Sequence, residues 1–319
     1  MTKIAVLPPF PQDTVKRFSD IAGAEFVYGD ALDAEVIFGQ PSPETILSLP
    51  RLKWVQSASA GVDGYVKRRD VFERGVILTT ASGAFGQSIS EWTLAMVLSL
   101  YKHLNVFRDN QKNALWRDAG RQYSPRGKNL LILGMGDIGC SIERIFRPFG
   151  CRVTGVRRKA SLLPEGFERA VTLSGIDDVL PNADIIACAL PGTGDTQQVF
   201  DARRLALLKR EAVLVNVGRG SLIDCAALAE ALNAGRIYGA ALDVTDPEPL
   251  PEDHPLWRCE NAIISPHASG GSFGHLRATE ETIIDICRKN LCRYLKNEPL
   301  LNRVDFDTGY RSINERYAR

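Results

Sequence analysis

The sequence lacks the long apolar segment of a membrane protein and the charge imbalance of a nucleic-acid-binding protein. Its longest uncharged apolar stretch, Trp92–Tyr101, is far shorter than the ~20 residues of a membrane span. Near its start, the apolar run Ile4–Leu7 is shorter than the roughly 7–15 residues of a secretory signal. The net charge of +1 provides no field that attracts nucleic acid or an anionic membrane. We therefore expect neither a membrane nor a nucleic-acid partner.

The cysteines lack the even number and regular spacing of a disulfide framework. The seven cysteines form an odd set without a CxxC pair, in a chain long enough to fold without disulfides. Unpaired thiols of this kind are typical of a reducing compartment. The sequence therefore predicts a cytoplasmic protein.

The chain does contain many short apolar runs that alternate with helix-like stretches, a pattern typical of an α/β fold with parallel sheets. Early strands are predicted at Lys3–Leu7, Glu25–Val27, Val36–Phe38, Trp54–Ser57 and Val76–Thr79. The pattern restarts near residue 129, with strands at Asn129–Leu133, Cys151–Val156, Asp184–Ala189, Ala212–Val217, Gly239–Asp243 and Ala262–Ser265. Helices are predicted from Ser88 to Leu104, over 138–149 and over Ser272–Lys296. Gly150 is expected to end the second of these helices in a left-handed backbone conformation.

The length of 319 residues suits two domains of ~100–200 residues each. We expect one domain over residues 100–286, where the strand pattern restarts. The flanking segments 1–99 and 287–319 are expected to form the other domain together.

Residues 134–139 read Gly-Met-Gly-Asp-Ile-Gly, directly after a predicted strand and at the start of a predicted helix. Gly134 permits a tight turn, Gly136 lets the backbone approach a pyrophosphate, and Gly139 lets the helix and strand pack closely. Asp137 and Ile138 open the helix, whose free N–H groups and dipole favour phosphates. The alternative is a glycine-rich turn without a ligand, but the strand–loop–helix context predicts a dinucleotide site.

The end of the next strand indicates which dinucleotide binds. NAD-binding sites usually carry Asp or Glu about 20 residues after the glycine loop, to accept the ribose 2′-hydroxyl. Here the strand Cys151–Val156 ends instead in Arg157, Arg158 and Lys159. Guanidinium groups pair bidentately with a 2′-phosphate that a carboxylate would repel. This favours NADP(H) over NAD(H), and the alternative is a solvated basic turn.

Three polar side chains follow three later strands. Arg219, Glu248 and His267 would meet at one sheet edge, because ligands of open α/β sheets bind beyond the carboxyl ends of the strands. Reduction of a 2-keto acid needs a fixed cation for the carboxylate and carbonyl, which Arg supplies, and a proton donor, which His supplies near neutral pH. Glu248 beside His267 would favour the protonated imidazole. Taken singly, they could be a surface ion pair, a solvated loop residue and a helix cap.

At this point the sequence resembles the D-isomer-specific 2-hydroxyacid dehydrogenase family. The resemblance covers most of the chain and rests on blocks in the family's order: Ser59–Asp63, the glycine loop, Leu190–Thr196, Asn216–Gly220, Asp243–Leu250 and Ser265–Gly270. It implies two doubly wound parallel-sheet domains, with a Rossmann cofactor domain inserted in a flavodoxin-like substrate domain. It also implies a homodimer joined through the cofactor domain.

The resemblance assigns roles to individual residues. It implies that Arg219, Glu248 and His267 are catalytic, and that backbone amides of Ala60, Gly61 and Val62 bind the substrate carboxylate. Asp243 would hold the nicotinamide amide and Thr196 would approach a phosphate. The implied lining of the cofactor cleft is Leu190, Pro191, Thr196, Val217, Gly218, Asp243 and His267.

The sequence departs from the family's pattern at Arg157, where NAD-preferring members carry Asp, and in the Ala-Ser-Gly that follows His267. Small NADP-using members include glyoxylate and hydroxypyruvate reductases. The leading hypothesis is therefore an NADP(H)-dependent reductase of a small 2-keto acid that gives the D-2-hydroxy acid. A dinucleotide-sensing corepressor-like protein on the same scaffold is the main alternative. A formate-dehydrogenase-like activity is a poorer fit, because it moves a hydride without a proton.

Overall fold

The structure is a computed structural model that describes residues 1–29, 31–158 and 163–307, and the backbone of 310–311. The chain divides into two compact units. One contains Met1–Phe85 together with the described residues from Gly271 onward, and the other contains Gly86–Gly270. No helix within these described ranges is long and apolar enough to cross a membrane.

The first unit is built on a five-stranded, wholly parallel sheet in the order β2-β1-β3-β4-β5, which is the flavodoxin-like order. The strands are β1 (Thr2–Val6), β2 (Ala24–Tyr28), β3 (Val36–Phe38), β4 (Trp54–Gln56) and β5 (Ile77–Thr79). Its helices are α1 (Pro43–Ser48), α2 (Asp63–Lys67) and, near the end of the chain, α8 (Arg277–Leu295). The short antiparallel strands β13 (Val304–Asp305) and β14 (Tyr310–Arg311) follow α8.

Alternate residues of these strands enter different apolar clusters. Val36 and Phe38 of β3 pack in one cluster with Ile283 of α8, whereas Ile37 packs in a second cluster with Ile46 of α1. A strand with period-2 side chains and both faces buried reads as a continuous apolar run. The sheet is therefore covered on both faces, and the chain's two ends share one core.

The second unit contains a seven-stranded parallel sheet in the order β12-β11-β10-β9-β6-β7-β8. The strands are β6 (Asn129–Leu133), β7 (Arg152–Val156), β8 (Arg169–Val171), β9 (Ile185–Cys188), β10 (Val213–Asn216), β11 (Gly239–Leu242) and β12 (Ala262–Ile264). The α-helices are α3 (Gly86–Tyr101), α4 (Leu104–Lys112), α5 (Asp137–Phe146), α6 (Ala202–Leu205) and α7 (Cys225–Asn233). The strand order reverses between β6 and β9, and such a switch point is where Rossmann folds bind dinucleotides.

Both expected domain boundaries differ from those in the structure. The expected boundary at 99/100 falls inside α3, and the one at 286/287 falls inside α8. The unit boundaries lie before these helices, at Gly86 and Gly271. A helix is one hydrogen-bonded body, so a domain boundary belongs in the loop that precedes it.

The other differences are small. Every predicted strand is present, with ends that differ by at most one residue, and Gly150 has the expected left-handed conformation (φ +66°). The long tail helix begins at Arg277 instead of Ser272. Strand β8 was not predicted, because Arg-Ala-Val carries one exposed charged residue and no apolar run.

Glycine is required where α5 packs on the loop before it. A Cβ on Gly139 would overlap the carbonyl oxygen of Gly134. The obstacle is backbone and cannot rotate away. By contrast, a Cβ on Gly194 in the same unit meets no atom within 4 Å.

We predict that Gly139→Ala lowers the free energy of unfolding by about 1–3 kcal/mol or more, the usual cost of overpacking. Gly194→Ala should change it by less than about 0.5 kcal/mol, as surface substitutions usually do. Urea unfolding of the two variants measures both values. Equal stability of the two variants would show that the α5 junction is not tightly packed.

Candidate active site

The glycine loop has the geometry of a phosphate-binding turn. Gly134 follows β6 with φ +105°, and a Cβ there would stand 2.7 Å from the carbonyl oxygen of Ala189. Gly136 is the N-cap of α5, so the first N–H groups of this helix, at Asp137 and Ile138, lie at the loop. A helix N-terminus at a switch point attracts anionic groups. The residues present therefore fit the pyrophosphate of a dinucleotide.

The loops after β9 and β10 pack closely beside this turn. A Cβ on Gly218 would stand 2.6 Å from the carbonyl oxygen of Leu190. Val217, before it, is buried. The Thr196 hydroxyl donates to the carbonyl of Pro191 at 2.7 Å and accepts from the Thr193 amide at 2.8 Å. Thr196 thus closes its own turn, so the contact with a phosphate that the resemblance implies stays a prediction.

The basic turn follows β7. Arg157 is partly buried and its amide donates to the carbonyl of Val171 at 3.0 Å, whereas Arg158 is exposed. Lys159, the third residue of the predicted basic group, lies outside the described residues. The two arginines stand at the strand end where a dinucleotide's adenosine ribose lies in a Rossmann fold.

The three candidate catalytic residues follow the adjacent strands β10, β11 and β12. His267 Nδ1 lies 2.7 Å from Glu248 Oε1. The side chains are 52% and 44% exposed, so a ligand can reach them. With a carboxylate at Nδ1, that nitrogen carries a proton and the Nε2 atom is left for a reactant. The structure brings together a histidine and a carboxylate that lie 19 positions apart in sequence.

The loop that carries Arg219 is held on two sides. The Asn216 side chain is fully buried, donates to the carbonyl of Arg219 at 2.9 Å and accepts from the Gly218 amide at 3.1 Å. On the other side, a Cβ on Gly220 would overlap the carbonyl of Thr245, which precedes Glu248. Asn216 was not predicted to have this role, although an Asn at a strand end is a typical turn-forming residue.

Asp243, at the end of β11, is 2% exposed. Both of its carboxylate oxygens accept hydrogen bonds from the segment around His267, and the donors are Ser265 Oγ, the Ala268 amide, the Ser269 amide and Ser269 Oγ. The resemblance implies that this carboxylate holds the nicotinamide amide. In this structure it binds the chain's own loop, and the two serine hydroxyls are functional candidates that the sequence did not single out.

The predicted substrate loop belongs to the first unit. Ala60, Gly61 and Val62 lie between β4 and α2, and Val62 is the N-terminal cap of α2. The Ser59 hydroxyl donates to the carbonyl of Gly61 at 2.7 Å. The segment is thus an ordered turn at a strand end, and such turns can bind an anion through backbone amides.

Known proteins resemble this chain in sequence and fold. The family model for the NAD-binding domain of D-isomer specific 2-hydroxyacid dehydrogenases matches residues 94–269. A solved structure of a D-isomer specific 2-hydroxyacid dehydrogenase family protein from Aeromonas salmonicida is 32% identical, with a TM-score of 0.83, over 96% of this chain and 99% of that one. A D-isomer specific 2-hydroxyacid dehydrogenase from Xanthobacter autotrophicus, in complex with NADPH and MES, is 27% identical, with a TM-score of 0.82, over 97% of this chain and 100% of that one.

A glyoxylate reductase from Aeropyrum pernix is 30% identical, over 80% of this chain and 77% of its own length. The family model covers more than half of the 319 residues and includes the glycine loop and all three strand ends. The chain belongs to the D-isomer specific 2-hydroxyacid dehydrogenase family.

Proposed function

We propose that this oxidoreductase reduces a small 2-keto acid, of the glyoxylate or hydroxypyruvate kind, to the D-2-hydroxy acid with NADPH. The main support for this proposal is the hydrogen-bonded pair of His267 and Glu248, which lies at the strand ends of a dinucleotide-binding unit. A protein that only senses a dinucleotide has no use for a positioned proton donor. The Aeropyrum pernix glyoxylate reductase supports the choice of substrate class.

Arg219 would bind the substrate and polarise it. Its guanidinium has a permanent charge and a fixed fork, which suits the carboxylate and the adjacent carbonyl of a 2-keto acid. By family resemblance, the backbone amides of Ala60, Gly61 and Val62 also bind the carboxylate. A nicotinamide cofactor, when bound, would supply the hydride.

His267 would supply the proton. Glu248 fixes the proton on Nδ1 and stabilises the imidazolium, so that Nε2–H donates to the alkoxide as negative charge develops on the carbonyl oxygen. In the oxidation direction, neutral Nε2 accepts the hydroxyl proton. The pair therefore serves both directions without a change of residue.

Replacement of the acid tests this mechanism. We expect His267→Ala to lower the turnover of glyoxylate with NADPH by roughly 10²–10⁴, the usual contribution of general acid catalysis. Glu248→Gln keeps the shape but removes the negative charge beside the imidazole. The pH profile for reduction should then change, because the imidazole loses the charged group that lies beside it. Steady-state assays across pH measure both effects.

NADPH binding, followed by fluorescence titration, is the control for these variants. His267→Ala with intact NADPH binding and near-normal turnover would overturn the mechanism. Wild-type protein that binds NADPH but turns over no keto acid would favour the sensor.

The preference for NADPH rests on Arg157 and Arg158 at the end of β7. The Xanthobacter autotrophicus relative was solved with NADPH, which supports this assignment. A carboxylate at the same position would repel a 2′-phosphate and accept a 2′-hydroxyl instead.

We predict that Arg157→Asp raises the Kd of NADPH at least about tenfold, since a charge-assisted hydrogen bond contributes about 1.5–3 kcal/mol. The Kd of NADH should change much less. Arg152→Asp is the matched control, because it makes the same charge change at the opposite end of β7. Equal affinity of the unmodified protein for NADPH and NADH would contradict the preference.

We also propose that the protein is a homodimer through the protrusion 104–118, which begins with α4. None of the side chains of α4 is buried. Leu104, Leu115 and Trp116 are exposed, and the last two are among the residues that line a groove of about 730 Å³ in this segment. Large exposed apolar groups mark interaction sites. Charges of both signs, Arg108 and Asp109 among them, suit a self-complementary contact between two copies.

The dimer proposal predicts a mass near twice 35.1 kDa in light scattering. Trp116→Asp should shift the equilibrium to the monomer, since a tryptophan that becomes buried in an interface is a typical hot spot for binding. Trp257→Asp is the matched control, because Trp257 is also exposed but lies outside the protrusion. A wild-type monomer, or an equal effect of the two variants, would refute this interface.

Finally, we place the protein in the cytosol. The seven cysteines, all of which lie in the described part of the chain, form no disulfide. Burial raises the pKa of the Cys188 and Cys287 thiols far above the ordinary value, which keeps these two unreactive.

A further inference from the structure

The carboxylate of Asp243 is surrounded by donors from its own chain. Oδ1 accepts from Ser265 Oγ at 2.5 Å and from the Ala268 amide at 2.8 Å. Oδ2 accepts from the Ser269 amide at 3.0 Å and from Ser269 Oγ at 2.5 Å, and the same amide also lies 3.1 Å from Oδ1. A carboxylate offers about four lone-pair sites. The loop therefore contributes four donor groups to this buried carboxylate.

The segment that these bonds hold contains His267, whose backbone is in the left-handed region with φ +54°. Few residues other than glycine adopt this conformation unless their surroundings impose it. The His267 amide donates to the carbonyls of Asp243 at 2.8 Å and Ser265 at 3.1 Å. Asp243 thus binds the loop through its main chain and its side chain, on both sides of the histidine.

Ser269 is fixed from a third direction. Its carbonyl accepts from the Ser88 hydroxyl of α3 at 2.6 Å, while its hydroxyl and amide donate to Asp243. Hydrogen bonds to a charged acceptor are stronger than neutral ones, and more so where water is excluded. Ser269 therefore ties the loop to both α3 and β11.

We propose that Ser265 and Ser269 are positioning residues for the catalytic acid. Their hydroxyls hold the Asp243 carboxylate, and this carboxylate holds His267 in the left-handed turn from which Nδ1 meets Glu248. The inference rests on the proposed function, and it gives the Asp243 carboxylate the role of an anchor for the loop that carries His267.

The test compares Ser265→Ala, Ser269→Ala and the double variant with the wild type. The first readout is the titration of the His267 imidazole by NMR, which is practical because the chain has only four histidines and His267→Ala identifies the signal. The carboxylates that this loop contacts through the hydrogen bonds given above are those of Glu248 and Asp243. If the turn relaxes, His267 loses its contact with Glu248, and the titration midpoint should change in the double variant.

The second readout is kinetic. The double variant should lose about tenfold or more in turnover, and its pH profile should change in the same way as that of Glu248→Gln. Its Kd for NADPH should stay within about twofold. Ser265→Thr retains a hydroxyl and should restore the wild-type profile. Ser174→Ala, which removes a remote exposed hydroxyl, gives the baseline.

An unchanged NMR midpoint in the double variant would overturn the positioning role. A tenfold weaker NADPH affinity with an unchanged midpoint would show that the two serines serve the cofactor site, and it would also overturn the positioning role. If the double variant does not fold, the single variants with Ser265→Thr decide the question on the same readouts. Because the NMR titration needs no turnover, it tests the inference even if no keto acid is reduced and the proposed function fails.

Discussion

Loops at the carboxyl edge of the seven-stranded sheet approach each other backbone to backbone, and the rest of the site depends on this closeness. Gly134 faces the carbonyl of Ala189, Gly218 faces that of Leu190, and Gly220 faces that of Thr245. A side chain at any of these glycines would separate two loops and the groups they carry. Because interiors are close-packed, such a displacement is not absorbed locally. The glycines therefore set the distances among the nucleotide turn, Arg219 and Glu248.

In the first unit, a buried network of hydrogen bonds fixes the position of α8 on the sheet. Asn290 of α8 donates to Gln56 of β4 at 2.8 Å, and both side chains are fully buried. Thr79 of β5 also donates to Gln56 and accepts from the indole of Trp54, each at 2.8 Å. A buried polar group without a partner is costly, so this network favours one register of α8 on the sheet. Two segments more than 200 positions apart are joined specifically.

Much of this architecture follows from local sequence signals. Buried parallel strands are short apolar runs, so β3 and β6 were predicted with their observed bounds. The places of Arg219, Glu248 and His267 followed from the rule that strand ends form one edge. The contacts of Asp243 did not, because its partners Ser265 and Ser269 lie more than 20 positions away and any serine can be a solvated loop residue. The domain boundaries also escaped prediction, since α3 and α8 each continue past the expected position without a break in their apolar pattern.

The second unit is one uninterrupted stretch of chain, Gly86–Gly270, whereas the first unit is assembled from both flanks. The nucleotide turn and all three strand-end residues are encoded within that stretch. Two genetic crossovers, one near each boundary, would transfer this set as a block. Recombination between related genes can therefore exchange the flanks, including the segment 59–63, and keep the nucleotide turn and the three strand-end residues together.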